Sequence, residues 1–279
     1  FATVVKQVIL QDLGFDEPLV LAYVCNCCYA AHVPLRAAGQ CSGLIRALTR
    51  EEARHAVGLG AAIAPLWFAA QWTYSAGVAA TSVTSSTVIS ATSVAWTFLA
   101  SAVFLGEGLV CWKLAGVAMC MAGNMATLCG GDSMPGHHAQ LRGDLMCLIS
   151  ALLYAAYTTL LKRNAGPQTS VSLMFGSLGC CVLLVGTPLV LLFARAGLQR
   201  LTPRILALLL FNGAFDNVLS QYAWAKGVQW TSATAATVGL SLTIPLGVCA
   251  DLLRGTTVTG SSILAAGLVT LDFVAVAAA

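Results

Sequence analysis

Polar side chains recur at helical spacing within two apolar stretches of the sequence. Gln71 and Tyr74 are three residues apart, and Asn217, Gln221 and Trp224 follow intervals of four and three. Residues at these intervals share one face of an α-helix. A buried amide is costly without a hydrogen-bond partner, so these faces are expected to meet either a polar cavity or a neighbouring helix. Both interpretations, solute binding and a helix–helix hydrogen bond, are open.

Hydroxyl groups form a second pattern. One stripe, with intervals of four, four, three and four, consists of Ser82, Ser86, Ser90, Ser93 and Thr97. Close packing of small residues between membrane helices is the simpler explanation for most of it. Ser86 and Ser90 are nevertheless candidates for a polar lining, together with Tyr154. Thr237 and Ser241 share a face in the same way and complete the set of candidate binding residues.

Motifs for covalent chemistry are missing from the sequence. Neither HExxH nor GxSxG occurs, and neither Gly131-Asp132 nor Gly143-Asp144 completes the GxGD motif of intramembrane aspartyl proteases. The 11 cysteines lie mostly in apolar runs and form no pair of CxxC motifs, so no metal site is predicted. We therefore predict neither an enzyme nor a cofactor. A non-transporting scaffold or receptor stays open as an alternative, and an intramembrane enzyme is the less favoured one.

The composition identifies the solvent of this chain as lipid. Of its 279 residues, 58% are hydrophobic and 9% are charged, whereas soluble domains carry about 25% charged residues. The mean hydropathy is +0.83. These values exclude an ordinary cytosolic enzyme and a disordered chain. The net charge of +3 is scattered along the sequence, so a nucleic-acid partner is excluded too.

Apolar segments divide the chain into membrane spans of about 20 residues each. Residues 1–11 are interpreted as the end of a truncated first helix. Polar, glycine-rich residues 131–142 are predicted to link a first unit, 1–130, to a second unit, 143–279. Nine full spans are predicted near 18–37, 57–79, 81–105, 109–129, 144–161, 171–194, 205–225, 231–253 and 258–279.

An internal repeat relates the two units. Residues 71–88 and 221–238 share eight identities in 18 positions, and Gln71 aligns with Gln221. Five predicted helices separate the repeated segments, and an odd number reverses the direction of crossing, so the repeats should be inverted in the membrane. Inverted repeats are typical of secondary transporters, whose substrate site lies near the midplane between them. We therefore predict that Gln71 and Gln221 line a central cavity.

Longer motifs resemble a known family. The segment 81–123, with its Ser/Thr-rich helix, Gly-Glu link and following K-x-x-G, resembles half of an EamA-type protein of the drug/metabolite transporter superfamily. Segments 143–163 and 212–253, above all Ser241–Leu246 (SLTIPL) followed by Asp251, resemble solute carrier family 35, subfamily F, in its member-five-like branch.

The resemblance implies an all-α integral membrane protein: a ten-helix bundle of two inverted five-helix repeats with both termini in the cytosol. It implies transport of a small polar or organic solute by alternating access, in an endomembrane such as the Golgi or vacuole rather than the plasma membrane. Membrane lipids are the expected partners, and a homodimer is possible. No substrate follows from it, because the nucleotide-binding blocks of nucleotide-sugar carriers are absent.

Overall fold

The computed structural model describes residues 5–6, 8–80, 86, 89, 90, 92–106, 137–166 and 168–231, together with 233, 236, 239, 267 and 270. Every regular element in these residues is helical. The predicted spans 109–129, 231–253 and 258–279 lie outside the described residues, either wholly or almost wholly. The all-helical class is confirmed, and the count of ten helices stays a prediction.

Seven helices follow a five-residue helical turn at Val8–Asp12. In chain order they are α1 (Pro18–Cys41), α2 (Arg50–Ala80), α3 (Ser93–Phe104), α4 (His137–Asn164), α5 (Val171–Phe193), α6 (Arg195–Gln199) and α7, a continuous run over 203–230. Helix α7 consists of Pro203–Asn212, a wider π-helical segment Gly213–Ser220, and Gln221–Trp230.

Three of these helices are long and apolar enough to cross a membrane: Pro18–Cys41, Leu141–Asn164 and Val171–Phe193. Large apolar side chains near the end of α5 are exposed, as expected for contact with lipid; they are Leu184, Leu191, Leu192 and Phe193. Helix α2 has 31 residues, which at about 1.5 Å per residue is also long enough to span. The described part of the chain is therefore a multi-pass membrane protein.

Two helix starts differ from the prediction. Helix α2 begins at Arg50 rather than near residue 57, because Thr49 and Glu52 cap it reciprocally. The Thr49 N–H donates to Glu52 Oε2 at 2.9 Å, and the Glu52 N–H donates to Thr49 Oγ1 at 3.2 Å. Helix α4 begins at His137, inside the predicted linker 131–142. Its first turns, HHAQLR, include good helix formers, so this polar stretch continues the helix beyond the apolar span.

Close contacts between helices depend on glycine at two positions. A Cβ atom at Gly60 of α2 would lie 2.2 Å from the Met174 carbonyl oxygen of α5. A Cβ atom at Gly179 of α5 would lie 2.2 Å from the Ala30 backbone nitrogen of α1. Neither contact tolerates a side chain, so α5 approaches both α1 and α2 backbone to backbone. These contacts bring the interior faces of the three helices together.

The end of α7 is fixed to α4 by one lysine. The Lys162 ammonium donates to the Val228 carbonyl at 3.0 Å and also to the Thr231 carbonyl. A cation is favourable at a helix C-terminus because it satisfies carbonyls that have no intrahelical donor. This contact places the C-terminal ends of α4 and α7 on the same side of the bundle.

Candidate functional site

Eight rings from five helices form one continuous group, which we call the aromatic cluster; five of the rings are buried and three are partly buried. Neighbouring ring centroids are 4.6 to 6.4 Å apart. The shortest separations join Trp67 to Tyr157, at 4.6 Å, and Tyr29 to Phe175, at 4.9 Å. The members are Tyr29 and His32 on α1, Trp67 on α2, Tyr154 and Tyr157 on α4, Phe175 on α5, and Tyr222 and Trp224 on α7.

The aromatic cluster contains polar atoms that have no hydrogen-bond partner among the described residues, and so does the neighbouring Gln221. They are Tyr29 Oη, His32 Nε2, Trp67 Nε1, Tyr157 Oη, Trp224 Nε1 and Gln221 Oε1, all buried. Trp67 lies near the Tyr29 hydroxyl without reaching hydrogen-bond geometry. Buried polar groups are nearly always paired, and leaving one unpaired costs about 1–3 kcal/mol. So many in one place indicate a region built to receive other polar groups.

An acidic side chain lies close to the aromatic cluster. Asp216, in the π-helical segment of α7, is half-buried in the neighbourhood of Tyr29, Tyr154 and Cys25. Ionisable residues at membrane depth are rare and usually face a cavity or a partner. π-Helical turns are also frequent at functional sites. Helix α7 therefore brings both a carboxylate and a locally irregular backbone to this region.

An open pocket of about 490 Å³ adjoins the aromatic cluster. It lies between the end of α1, the loop that leads to α2, the start of α5, and α7. His32 and Tyr222 belong to both its wall and the aromatic cluster, so the pocket meets the buried rings directly. The remaining lining residues are Leu35, Arg36, Ile45, Arg46, Leu48, Gln168, Thr169, Ser170, Val171, Ser172, Val218, Leu219 and Lys226.

A buried lysine from the N-terminal segment contacts α2 at a separate position. Lys6 is 4% exposed, and its ammonium donates to Gln71 Oε1 at 2.9 Å. The same nitrogen lies 5.4 Å from the centroid of the Tyr74 ring, in a cation–π contact. Sequence reasoning placed Lys6 in the truncated first helix and assigned it no role. The signal that could have identified it is a charged residue within an apolar run.

The predicted residues on α2 and α7 have different environments. Gln71 and Tyr74 hold Lys6, whereas Trp224 stacks on Tyr157 within the aromatic cluster at 5.8 Å. The Gln221 carbonyl oxygen has no hydrogen-bond partner in the part of the chain that the structure describes. Their predicted role in binding is not tested by this geometry and stays a prediction.

Asn217 makes the helix–helix contact that was the alternative to binding. Its amide donates to the Cys25 carbonyl of α1 at 2.5 Å. Tyr154 lies in the aromatic cluster beside Trp67 and Trp224. Ser86 and the Ser90 hydroxyl are buried. Thr237 and Ser241 lie outside the described residues.

Sequence reasoning missed three central members of the aromatic cluster: Tyr29, His32 and Trp67. Their spacing contained a usable signal. Tyr29 and His32 are three residues apart, as are Tyr154 and Tyr157, so each pair shares a helix face. Tyr and Trp carry a polar group that needs a partner when buried. Pairs of such residues in an apolar helix therefore indicate an interior polar surface.

Comparison with known proteins finds a family match for the second half of the chain. Residues 141–276 match the EamA-like transporter family. The chain is 31% identical over 216 residues to an uncharacterized vacuolar membrane protein of Saccharomyces cerevisiae, which covers 70% of this chain and 54% of that protein. It is 30% identical over 196 residues to solute carrier family 35 member F5 of Bos taurus, covering 67% of this chain and 37% of that one.

A third relative, an uncharacterized transporter of Schizosaccharomyces pombe, is 30% identical over 225 residues, which are 76% of this chain and 65% of that protein. The chain thus spans about half or less of the first two relatives. A solved crystal structure superposes with a TM-score of 0.67 at 16% identity, over 98% of this chain and 93% of its own, and shows that the fold is a known one.

These names agree with the prediction of a non-enzymatic membrane protein. Residues 141–276 therefore match the EamA-like transporter family, and about two thirds of the chain is similar to solute carrier family 35 member F5.

Proposed function

We propose that this protein is a secondary transporter that moves a small polar or organic solute by alternating access. In this proposal two inverted five-helix repeats, residues 1–130 and 143–279, enclose the solute path. The 150-residue offset between Gln71 and Gln221 supports the repeat, and the family match of residues 141–276 supports transport.

The main observation in support of the proposal is the aromatic cluster, whose polar atoms lack hydrogen-bond partners among the described residues. The first proposed repeat contributes Tyr29, His32 and Trp67, and the second contributes the other five rings. The aromatic cluster therefore lies where the two proposed repeats meet, which is where transporters built from inverted repeats place their substrate site. Its buried hydroxyl and indole groups offer hydrogen bonds that nothing in the described part of the chain uses.

The pocket and the aromatic cluster suggest how the path is closed. The pocket is open on one side, and the packed rings below it block further passage. A solute that moved from the pocket past His32 and Tyr222 would separate ring contacts and supply partners for the unpaired groups. Each partner gained would offset about 1–3 kcal/mol of the cost of opening. Inward and outward states would then differ in which side of the aromatic cluster is open.

We further propose an endomembrane location. One relative is named a vacuolar membrane protein, and the expected orientation places both termini in the cytosol. In that orientation the open pocket faces the cytosol, because the C-terminal ends of α1, α4 and α7 lie on that side.

The proposal is tested with full-length protein reconstituted in liposomes and offered a mixture of metabolites, whose accumulation is followed by mass spectrometry. Gln221→Leu should abolish accumulation without lowering the melting temperature, because Gln221 Oε1 has no partner to lose among the described residues. The exposed residue Gln199 provides a matched control, and Gln199→Leu should transport normally. Wild-type protein that converted a compound chemically while accumulating none would refute the proposal.

A further inference from the structure

The open pocket carries positive charge that is only partly neutralised. Its lining includes Arg36, Arg46 and Lys226 but no aspartate or glutamate. Arg46 has a carboxylate partner outside the lining, since its guanidinium lies 2.6 Å from Glu52. Arg36 and Lys226 have no such partner among the described residues.

Arg36 and Lys226 are held in place by neutral acceptors. Arg36, which is 9% exposed, donates to Ser170 Oγ at 2.8 Å and to the Arg46 carbonyl at 3.2 Å. Lys226 donates to Gln229 Oε1 at 3.0 Å. These contacts fix the positions of the two cations without cancelling their charge. A largely buried guanidinium without a counter-ion is unfavourable unless an anion reaches it.

The N-terminus of α5 adds to the positive electrostatic potential of the pocket. Ser170 is the N-cap of this helix, and Ser170, Val171 and Ser172 all line the pocket. The first N–H groups of a helix have no intrahelical acceptor. Together with the helix dipole they form a favourable site for an anion. Helix α5 is 23 residues long, so its dipole is well developed.

A buried histidine in the pocket wall, whose ring interacts with the Val218 backbone but has one nitrogen without a partner among the described residues, points independently to a ligand. His32 is 5% exposed, and its Nε2 atom has no hydrogen-bond partner among the described residues. The imidazole can donate or accept a hydrogen bond, depending on its tautomer. It lies at the junction with the aromatic cluster, close to the ring of Tyr222 at a centroid distance of 5.6 Å.

We propose that this pocket binds a phosphate-type oxyanion, held by Arg36, Lys226 and the N-terminus of α5, with His32 as a further hydrogen-bonding group. Arginine forms strong paired hydrogen bonds with phosphate oxygens. The bearer of the oxyanion is either a free organic phosphate or the headgroup of an anionic lipid, since both present the same chemistry. For the free phosphate, the inference rests on the proposed function, in which the pocket receives the solute.

The test measures binding directly and needs no transport. Full-length protein in phosphatidylcholine nanodiscs is titrated with inorganic phosphate, phenyl phosphate and phenol, with calorimetry as the readout. Both phosphates should bind saturably, and phenol should not. Arg36→Gln and Lys226→Gln should each weaken binding about tenfold or more, because a charge-assisted hydrogen bond is lost. Lys226→Gln keeps the test decisive if Arg36→Gln fails to fold.

The control is Arg200, an exposed arginine whose guanidinium lies 3.8 Å from Glu17, outside the pocket. Arg200→Gln should leave phosphate binding unchanged. Equal weakening by this variant, or no saturable binding of phosphate in either lipid composition described next, would overturn the proposal.

The source of the oxyanion is resolved by repeating the titration in nanodiscs that contain phosphatidic acid. If a lipid headgroup occupies the site, phosphatidic acid should weaken phosphate binding or raise the melting temperature of the wild type, and neither effect should appear in Lys226→Gln. If a free phosphate is the natural ligand, the lipid should have no effect. Transport is scored separately, so protein that transports but binds no oxyanion refutes only this inference, and the reverse result refutes only the proposed function.

Discussion

Helices α2 and α7 carry the same repeated residues in different surroundings. Gln71 on α2 accepts a hydrogen bond from the buried ammonium of Lys6, whereas Gln221 on α7 has an unpartnered carbonyl oxygen. A Cβ atom at Gly77 would lie 2.4 Å from Cys147 Sγ, but one at Gly227 would meet no described atom within 4 Å. Within the described part of the chain, Gln71 and Gly77 of α2 are thus paired and closely packed, whereas the Gln221 carbonyl and Gly227 of α7 have no such contacts.

The difference shows that repeated residues do not have to perform the same role in one conformation. A carrier built from two inverted repeats is asymmetric whenever it is open to one side only. Under the proposed function, the different environments of Gln71 and Gln221 would correspond to such an asymmetric state. The backbone follows the same division, since α7 contains the π-helical segment Gly213–Ser220 and α2 is one uninterrupted α-helix.

The largest expected effect comes from breaking the pairing on α2. Gln71→Leu leaves the Lys6 ammonium buried without its acceptor, which should lower the free energy of unfolding by about 2–3 kcal/mol. Gln221→Leu should leave the free energy of unfolding unchanged. Denaturant or thermal melts of the purified protein compare the two glutamine variants. The double variant Lys6→Met/Gln71→Leu should recover most of the loss, because neither polar partner remains. Equal destabilisation by both glutamine variants would contradict the proposed difference in pairing between Gln71 and Gln221.

A smaller effect is expected at the glycines. Gly77→Ala should destabilise the protein by about 1–3 kcal/mol, because Cys147 and the Gly143 carbonyl of α4 leave no space for a methyl group. Gly227→Ala should be neutral or stabilising by up to about 1 kcal/mol, since alanine is the better helix former. Melting temperatures of the two variants measure the contrast. If Gly227→Ala lowered the melting temperature more than Gly77→Ala, α7 would be more closely packed than α2 at these positions.

The smallest effect concerns the start of α2. Hydrogen bonds from the Thr49 backbone and the Arg46 side chain lower the pKa of the Glu52 carboxyl. A lowered pKa in the folded state means that the stabilisation is present above the carboxyl's ordinary pKa and is lost as the pH falls through the folded value. Wild-type protein should therefore melt slightly earlier in this acidic range. The melting temperature of Glu52→Gln should not show this small decrease at acidic pH. If the melting temperatures of the wild type and of Glu52→Gln changed with pH in the same way, Glu52 would not be its source.

Composition was sufficient to predict an all-helical, multi-pass membrane protein, because lipid imposes both the apolar content and the helix. Motifs predicted the similarity to EamA-like transporters that residues 141–276 show. They also selected Tyr154, Gln221 and Trp224 by helical spacing. They could not pair Lys6 with Gln71, since that contact joins residues 65 positions apart and depends on tertiary packing. They also did not show that the Asn217 amide would donate to the Cys25 carbonyl. The polar residues around His137 indicated a linker, but the same segment contains good helix formers and forms the first turns of α4.

The most direct test of the central claim compares two tyrosines that differ in pairing. The Tyr157 hydroxyl is buried in the aromatic cluster without a partner among the described residues, whereas the Tyr23 hydroxyl lies 2.7 Å from Thr187 Oγ1. Tyr157→Phe should raise the free energy of unfolding by about 1 kcal/mol, because it removes an unpaired polar group, and should reduce solute uptake into liposomes about tenfold. Tyr23→Phe should lower stability and transport normally. If Tyr157→Phe were less stable than wild type and transported at the wild-type rate, the aromatic cluster would be a structural core and not a solute path.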